Sequence, residues 1–366
     1  MNSLTIPPNP QLANLPVYQP GRPIEEVARH YGLAPESIVK LASNENPLGP
    51  SPKAIAALQE ALHTVHLYPD GHGFMLKERL AQHCGVAPEN LILGNGSNEV
   101  LELVGHAFLR PGVDVVVSQY CFAVYPLVTQ LFGARLITVP ARRFAHDLNA
   151  MRTAFTPQTR VVFLANPNNP TGTWAEAAEL RTFIESVPIE VLVVLDEAYI
   201  EYMDDPADFL PDIRTGRRPN LLLVRTFSKI YGLAGLRIGY GIGVTPLIAA
   251  LEKARQPFNV NRLAQTAAVA ALGDSEHLEQ TRRINQLGLK QLADGCTALG
   301  LEVLPSAANF LLVRVGHAQA VFEALMQQGV IVRPMGSYEL PEWIRISVGR
   351  PEENDRCLAA LRRVLR

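Results

Sequence analysis

Cysteine is scarce and scattered. Cys84, Cys121, Cys296 and Cys357 are the four in 366 residues, and none forms a C-x-x-C pair. A disulfide framework therefore has no support, and thiols so dispersed read as reduced groups of a cytosolic chain. No apolar run approaches the roughly 20 residues that span a bilayer; residues 191–195 are typical of the longest. The opening MNSLTIPPNPQLANLP has no basic start and no hydrophobic stretch, so we expect no secretory signal and a cytoplasmic location. An excess of one charge is missing too: 33 Lys and Arg against 35 Asp and Glu leave a net charge of −2. Such a chain has no global field for nucleic acid or an anionic membrane. H-E-x-x-H, the P-loop and a G-x-G-x-x-G after a strand are all absent, which removes the best evidence for a zinc peptidase or the usual nucleotide folds. His63 and His66 lie three apart but have no carboxylate or cysteine in a ligand pattern nearby, so no metal is expected.

What remains is an ordinary globular balance, 48% apolar and 19% charged, in a chain long enough for one large domain or two modest ones. The first 50 residues are rich in Pro and Asn and read as an ordered arm with one helix over 23–31. Ser51 and Pro52 suit the N-cap and first position of a helix, and a second helix is expected over 73–84. Short apolar strands are expected at 91–93, 114–118, 135–139, 160–164, 191–195 and 221–225, with amphipathic helices between them at 98–109 and 175–185. Nearly all-apolar strands alternating with helices indicate a sheet covered on both faces. The expected fold class is therefore α/β with a mostly parallel sheet. After Pro246 the rhythm changes: a long helical region over 246–299, strands at 309–315, 330–333 and 343–348, and helices at 318–328 and 352–365 make a smaller α+β unit. The expected division is an arm with part of the small domain at 1–45, a large domain at 46–250 and a small domain at 251–366.

Four stretches carry chemistry. Thr226-Phe227-Ser228-Lys229 follows the strand at 221–225. A lysine there, flanked by hydroxyls, suits an amine that bonds a carbonyl carbon beside a bound phosphate, although a surface lysine in a polar turn is the bland alternative. Arg237 follows in GLAGLRIGY, where glycines let backbone approach a ligand closely. Asp196 ends the buried strand of VLVVLDEAY, the end at which open α/β sheets bind ligands. It could pair with a protonated pyridine nitrogen, cap a helix or hold magnesium, and Tyr199 stands three residues on. Asn166 to Gly172, NPNNPTG, makes tight turns, and its Asn169 could also donate to a pyridine oxygen. Gly96-Ser97-Asn98 lies between a strand and a helix, where exposed N–H groups can bind an anion.

NPNNPTG, DEAY, TFSK and GLRIG, in this order, resemble the fold-type-I aminotransferases that use pyridoxal 5′-phosphate. The resemblance covers essentially the whole chain and includes Asn46 to Gly49 and the late strand WIRISVG with Arg345. VYQPGRPIEEV (17–27), LASNENPLGPSP, LYPDG (67–71) and QYCFAVY (119–125) are similar to histidinol-phosphate aminotransferases in particular. This resemblance implies that Lys229 holds the cofactor covalently and moves the proton between substrate and cofactor. It implies that Asp196 pairs with the pyridine nitrogen, with Asn169 and Tyr199 on the ring's 3′-oxygen. The backbone of Ser97 and Asn98, after Gly96, would bind the cofactor phosphate with Thr226, Ser228 and Arg237. Phe122 stands where relatives often place a tyrosine on the ring face, so stacking survives without a phenolic hydrogen bond. Tyr68 would reach the neighbouring subunit's cofactor, which implies a homodimer. Arg345 shares a strand face with Ser347, opposite Ile344, Ile346 and Val348, and would clamp a substrate anion; Tyr18 and Arg333 are further candidates for a substrate phosphate. The implied reaction is amino transfer between L-histidinol phosphate and 2-oxoglutarate, giving imidazole acetol phosphate and glutamate. An aromatic amino acid aminotransferase and a threonine-phosphate decarboxylase-like enzyme share much of the motif set. A cofactor-binding regulator would append a DNA-binding domain, and nothing before Asn44 has the length or charge for one.

Overall fold

The computed structural model describes residues 6–365 apart from Asn14 and Tyr18. Its centre is a seven-stranded sheet. The strand order is Leu91–Gly94, Gly239–Ile242, Leu221–Thr226, Leu192–Asp196, Thr159–Ala165, Asp114–Ser118, Arg135–Val139. The last five strands are mutually parallel, and Gly239–Ile242 runs antiparallel to both its neighbours.

Each central strand is buried on both faces, and the period of two in side-chain direction divides it between two cores. Val162, Leu164, Val193, Leu195, Leu221 and Leu223 pack on one side. Val161, Phe163, Leu192, Val194, Leu222 and Val224 pack on the other, against the Ser97–Phe108 and Val124–Leu131 helices. Each such fully buried side chain removes apolar surface worth about 1.5–3 kcal/mol from water. The Pro52–Ala61 helix begins as its sequence indicates: the Ser51 hydroxyl accepts from Ala54 N, and Pro52 fills the first position.

A third core lies beside the sheet. The antiparallel strands Arg333–Met335, Leu340–Ser347, Phe310–Arg314 and Glu302–Val303 form its sheet, with the Ala318–Gln327 and Pro351–Val364 helices packed over it. The arm joins this unit. Val27 and Ala28 of the Ile24–Tyr31 helix enter its core, and Val39–Lys40 pairs in parallel with Val330–Ile331.

Three features differ from the sequence reading. The helical region expected over 246–299 is three helices, Thr245–Glu252, Arg262–Leu272 and Ser275–Ala298. The breaks fall around Pro257 and at Gly273, residues that interrupt a helix. The strand expected over 330–333 divides between two sheets, Val330–Ile331 pairing with the arm and Arg333–Met335 with Leu340–Ser347. The Arg262–Leu272 helix lies beyond residue 250, yet Ala264, Ala267, Ala268 and Ala271 pack into the large core. Among the described residues no helix is long and apolar enough to cross a membrane.

Candidate active site

Strand direction brings the motifs to one edge. Thr159–Ala165, Leu192–Asp196 and Leu221–Thr226 are parallel, so NPNNPTG, Asp196 to Tyr199 and Ser228-Lys229 all emerge at the same ends. Gly239 pairs with Thr226 and with Gly94, which carries Arg237, just before Gly239, and Gly96, just after Gly94, to that edge as well. The small unit closes the space from the side with the strand Leu340–Ser347. The resulting cleft holds about 1110 Å³ of atom-free space. Ser97, Asn98, Phe122, Asn169, Asp196, Tyr199, Thr226, Ser228, Lys229, Arg237, Arg333 and Arg345 all line it.

One of the expected site residues that the structure describes does not take part in this arrangement. Tyr68 is 79% exposed and stacks on Phe258, with ring centroids 4.8 Å apart, away from the cleft of its own chain. Tyr18 lies outside the described residues.

At one end the Ser97–Phe108 helix points its N-terminus at the cleft, with Gly96 as N-cap at φ +81°. A Cβ on Gly96 would stand 2.4 Å from an Arg237 guanidinium nitrogen, and one on Gly239 would stand 2.4 Å from Ser97 N. Both glycines are required for this close approach. Amide hydrogens, the helix dipole and a guanidinium thus converge with the Thr226 and Ser228 hydroxyls on one small volume, an anion site. The Thr226 hydroxyl also accepts from Ser228 N at 3.1 Å, fixing the turn before the lysine.

In the middle, Asp196 is 5% exposed. Its Oδ2 accepts from the Tyr125 hydroxyl at 2.8 Å and its Oδ1 from Ala198 N at 3.1 Å. Burial pushes its carboxyl above the usual range, opposed by these donors and by the charge of Lys229. Lys229 Nζ donates to Ser43 O at 3.3 Å. Burial, with the positive charge of Arg345 next, lowers its amine from 10.5 to about 8. A buried amine of reduced basicity is what a nucleophilic lysine requires.

At the other end Arg345 is 7% exposed, a buried guanidinium and not a surface ion pair. Its guanidinium donates to Asn169 Oδ1 at 2.6 Å and to Ala42 O at 2.7 Å. Tyr199 OH accepts from Asn44 Nδ2 at 2.9 Å, and Asn44 in turn binds Ser347 through its backbone N–H and its Oδ1. Arg333 is the direct cross-strand partner of Arg345, so both guanidinium groups project from one sheet face. The cleft is lined by four cationic residues, Lys229, Arg237, Arg333 and Arg345, against two acidic ones, Asp196 and Glu45. In a chain of net charge −2, that local excess suits an anionic ligand.

Sequence reasoning did not single out Tyr125, Asn44 or Ser43. Tyr125 sat in the QYCFAVY segment and Asn44 in LASNEN, but their partners are 71 and 155 residues away.

The aminotransferase class I and II family model matches residues 36–361. A histidinol-phosphate aminotransferase 2 of Pseudomonas fluorescens (strain Pf0-1) is 53% identical over 97% of this chain and 96% of its own length. The histidinol-phosphate aminotransferase of Akkermansia muciniphila is 50% identical, with 98% of each chain covered. This chain belongs to the class I and II aminotransferases, among the histidinol-phosphate aminotransferases. Among solved structures, the histidinol-phosphate aminotransferase of Sinorhizobium meliloti, in complex with pyridoxal 5′-phosphate, superposes with a TM-score of 0.90. It is 33% identical and covers 97% of this chain and 96% of its own.

The residues of this aminotransferase fit pyridoxal 5′-phosphate. The glycine-backed anion site suits the phosphate and the buried Asp196 carboxylate suits a pyridinium N–H. The amine of Lys229 stands in the same cleft, where a carbonyl carbon can reach it.

Proposed function

We propose that this aminotransferase transfers the amino group of L-histidinol phosphate to 2-oxoglutarate, giving imidazole acetol phosphate and glutamate. The observation that carries the substrate reading is the Arg333–Arg345 pair on one sheet face, beside Lys229 in a cleft with surplus positive charge. Both amino donors, the alcohol phosphate and the dicarboxylate glutamate, offer an anion that such a pair recognises.

Pyridoxal 5′-phosphate supplies the electron-accepting ring that makes the substrate's α-proton acidic. The chain's own groups do the rest. Ser97 and Asn98 backbone with Thr226, Ser228 and Arg237 would hold the phosphate; Asp196 would pair with the ring nitrogen; Asn169 and Tyr199 would hold the 3′-oxygen; Phe122 would cover one ring face. Lys229 would carry the proton between the substrate's α-carbon and the cofactor's C4′ carbon. Arg345 and Arg333 bind the substrate anion, with Tyr18 as a further contact. The working unit is a cytoplasmic homodimer in which Tyr68 serves the neighbouring site. Its exposure, next to the exposed Leu67, Phe74, Met75 and Phe258, supports that role.

An aromatic amino acid aminotransferase would use the same cofactor set. A half-reaction screen separates the readings: histidinol phosphate, phenylalanine, tyrosine and threonine phosphate are each mixed with holoenzyme, and cofactor spectrum and product are followed. Fastest amino transfer from histidinol phosphate supports the proposal. Preference for phenylalanine transfers the function to the aromatic class, and decarboxylation of threonine phosphate overturns both.

A further inference from the structure

Behind Asp196 lies a tyrosine that the reaction as described does not use. Tyr125 is 1% exposed, and its hydroxyl donates to Asp196 Oδ2 at 2.8 Å. Its ring is held on two sides. It stacks on Phe163 with centroids 5.0 Å apart and planes within 4°, and it meets Phe122 edge-on at 5.7 Å and 86°. Tyr125 N donates to Phe122 O at 3.0 Å, and the Thr129 hydroxyl donates to Tyr125 O at 2.8 Å, so backbone and ring are both fixed. We propose that Tyr125 is a positioning residue: it aims the Asp196 carboxylate at the cofactor's ring nitrogen and supplies the hydrogen bond that keeps that carboxylate charged in a buried site.

Asp196 Oδ1 takes the Ala198 N–H and Oδ2 takes the phenol, one donor on each oxygen. A carboxylate oxygen accepts two hydrogen bonds, so a lone pair remains for an N–H donor in the cleft. The titratable groups that bear on the pair are Lys229, Tyr199, Cys121 and Glu197. Burial and the neighbouring Asp196 charge hold the phenol of Tyr125 protonated, so it stays a donor and cannot become a competing anion. Without that donor, burial would favour the neutral carboxylic acid, which cannot stabilise a pyridinium. Because Phe122 and Tyr125 share one turn, the residue on the ring face and the residue behind the carboxylate are set by the same piece of backbone.

The proposal rests on the cofactor reading above, and its first test does not require cofactor. In apoprotein with 13C-labelled aspartate, the Asp196 carboxyl resonance, assigned with Asp196→Asn, is titrated in wild type, in Tyr125→Phe and with 3-fluorotyrosine at position 125. Phenylalanine keeps the stacked ring and loses the donor, so the titration should move up by about one to two pH units. The fluorinated phenol is a stronger donor of the same shape and should move it down, which a packing defect would not do. Unchanged titration in both folded variants overturns the proposal. In holoenzyme, 15N-labelled pyridoxal 5′-phosphate should show a smaller protonated fraction at the ring nitrogen in Tyr125→Phe. An unaltered ring-nitrogen shift would overturn the role toward the cofactor. Failure of the wild type to bind the cofactor would sink the cofactor reading instead, with the apoprotein titration still deciding the Tyr125–Asp196 pairing.

Discussion

Arg333 and Arg345 face each other directly across two antiparallel strands. Like charges at opposed positions weaken a ladder, so the pair costs stability unless something offsets it. Part of the offset is visible: Arg345 donates to Asn169 and Ala42, and Arg333 donates to the carbonyl of Gln19. These partners come from the arm, the large sheet and the segment between them, so the two arginines also tie the small unit to the rest of the cleft. A substrate anion bound between them would offset it further, which is the physical reason we propose the pair as a substrate clamp.

Arg345→Lys keeps the charge and loses the planar fork that reaches two acceptors at once. We expect kcat/KM to fall by at least about tenfold for both histidinol phosphate and glutamate, corresponding to roughly 1.4 kcal/mol or more. Steady-state kinetics with each substrate check this. Values within twofold of wild type would remove Arg345 from the substrate site.

How much of this was readable beforehand follows residue chemistry. The strands Asp114–Ser118 and Arg135–Val139 stand where their β-branched apolar runs indicated. Gly239–Ile242 escaped notice because GYGI has a glycine at every second position. Those glycines answer to tertiary contacts: a Cβ on Gly241 would stand 3.0 Å from Ile92 and Val100. Lys229, Asp196 and Asn169 could be brought together from the sequence because Asp196 ends a strand of one sheet and the other two follow strands of it, and parallel strands end together. Tyr125 and Asn44 were not, because their importance comes from hydrogen bonds made across the fold to Asp196 and Tyr199.

Gly96→Ala tests the anion site without replacing a charged group. The new methyl would meet Arg237 at 2.4 Å, and φ at +81° already disfavours an L-residue. Backbone strain of this type costs of order 1–3 kcal/mol. The clash, unlike the backbone strain, is relieved if the Arg237 guanidinium moves out of the anion site, so cofactor affinity should drop by about tenfold or more. Calorimetry of the apoprotein with pyridoxal 5′-phosphate and with inorganic phosphate checks it. Unchanged binding of both would separate Gly96 and Arg237 from the anion site.

Lys229 gives a pH dependence with a definite sign. Its folded-state value is lowered from 10.5 to about 8, chiefly by burial. Between those values the unfolded chain holds the proton and the folded apoprotein does not, so this group makes stability rise with pH from about 8 toward 10.5. Below about 8 both states are protonated and the penalty of the buried charge is complete. Lys229→Met should flatten that segment of the apoprotein stability curve, measured by denaturant unfolding at several pH values. A curve that keeps its wild-type slope would show that Lys229 is not the group responsible.

Tyr68 decides whether the site is shared between subunits. The residue is 79% exposed, its ring rests on Phe258, and its carbonyl accepts from Arg262 at 2.7 Å. An exposed aromatic stacked on another is open to contact, and Tyr68 does not line the cleft of its own chain, so we propose that it acts in a partner's cleft. Tyr68→Ala alone should then be strongly impaired, and Lys229→Ala alone should be inactive and lack the borohydride-reducible visible chromophore. Mixing the two under conditions that exchange subunits should restore activity, because one site of each mixed dimer pairs an intact lysine with an intact partner tyrosine. Random exchange of equal amounts makes half the dimers mixed, each with one good site of two, so recovery approaches about a quarter of the wild-type rate. Light scattering should show a dimer before mixing, and differently tagged subunits should verify exchange. With exchange verified, absence of recovery would place Tyr68 in service of its own chain or outside the site, and the shared-site reading would fall while the cleft chemistry stood.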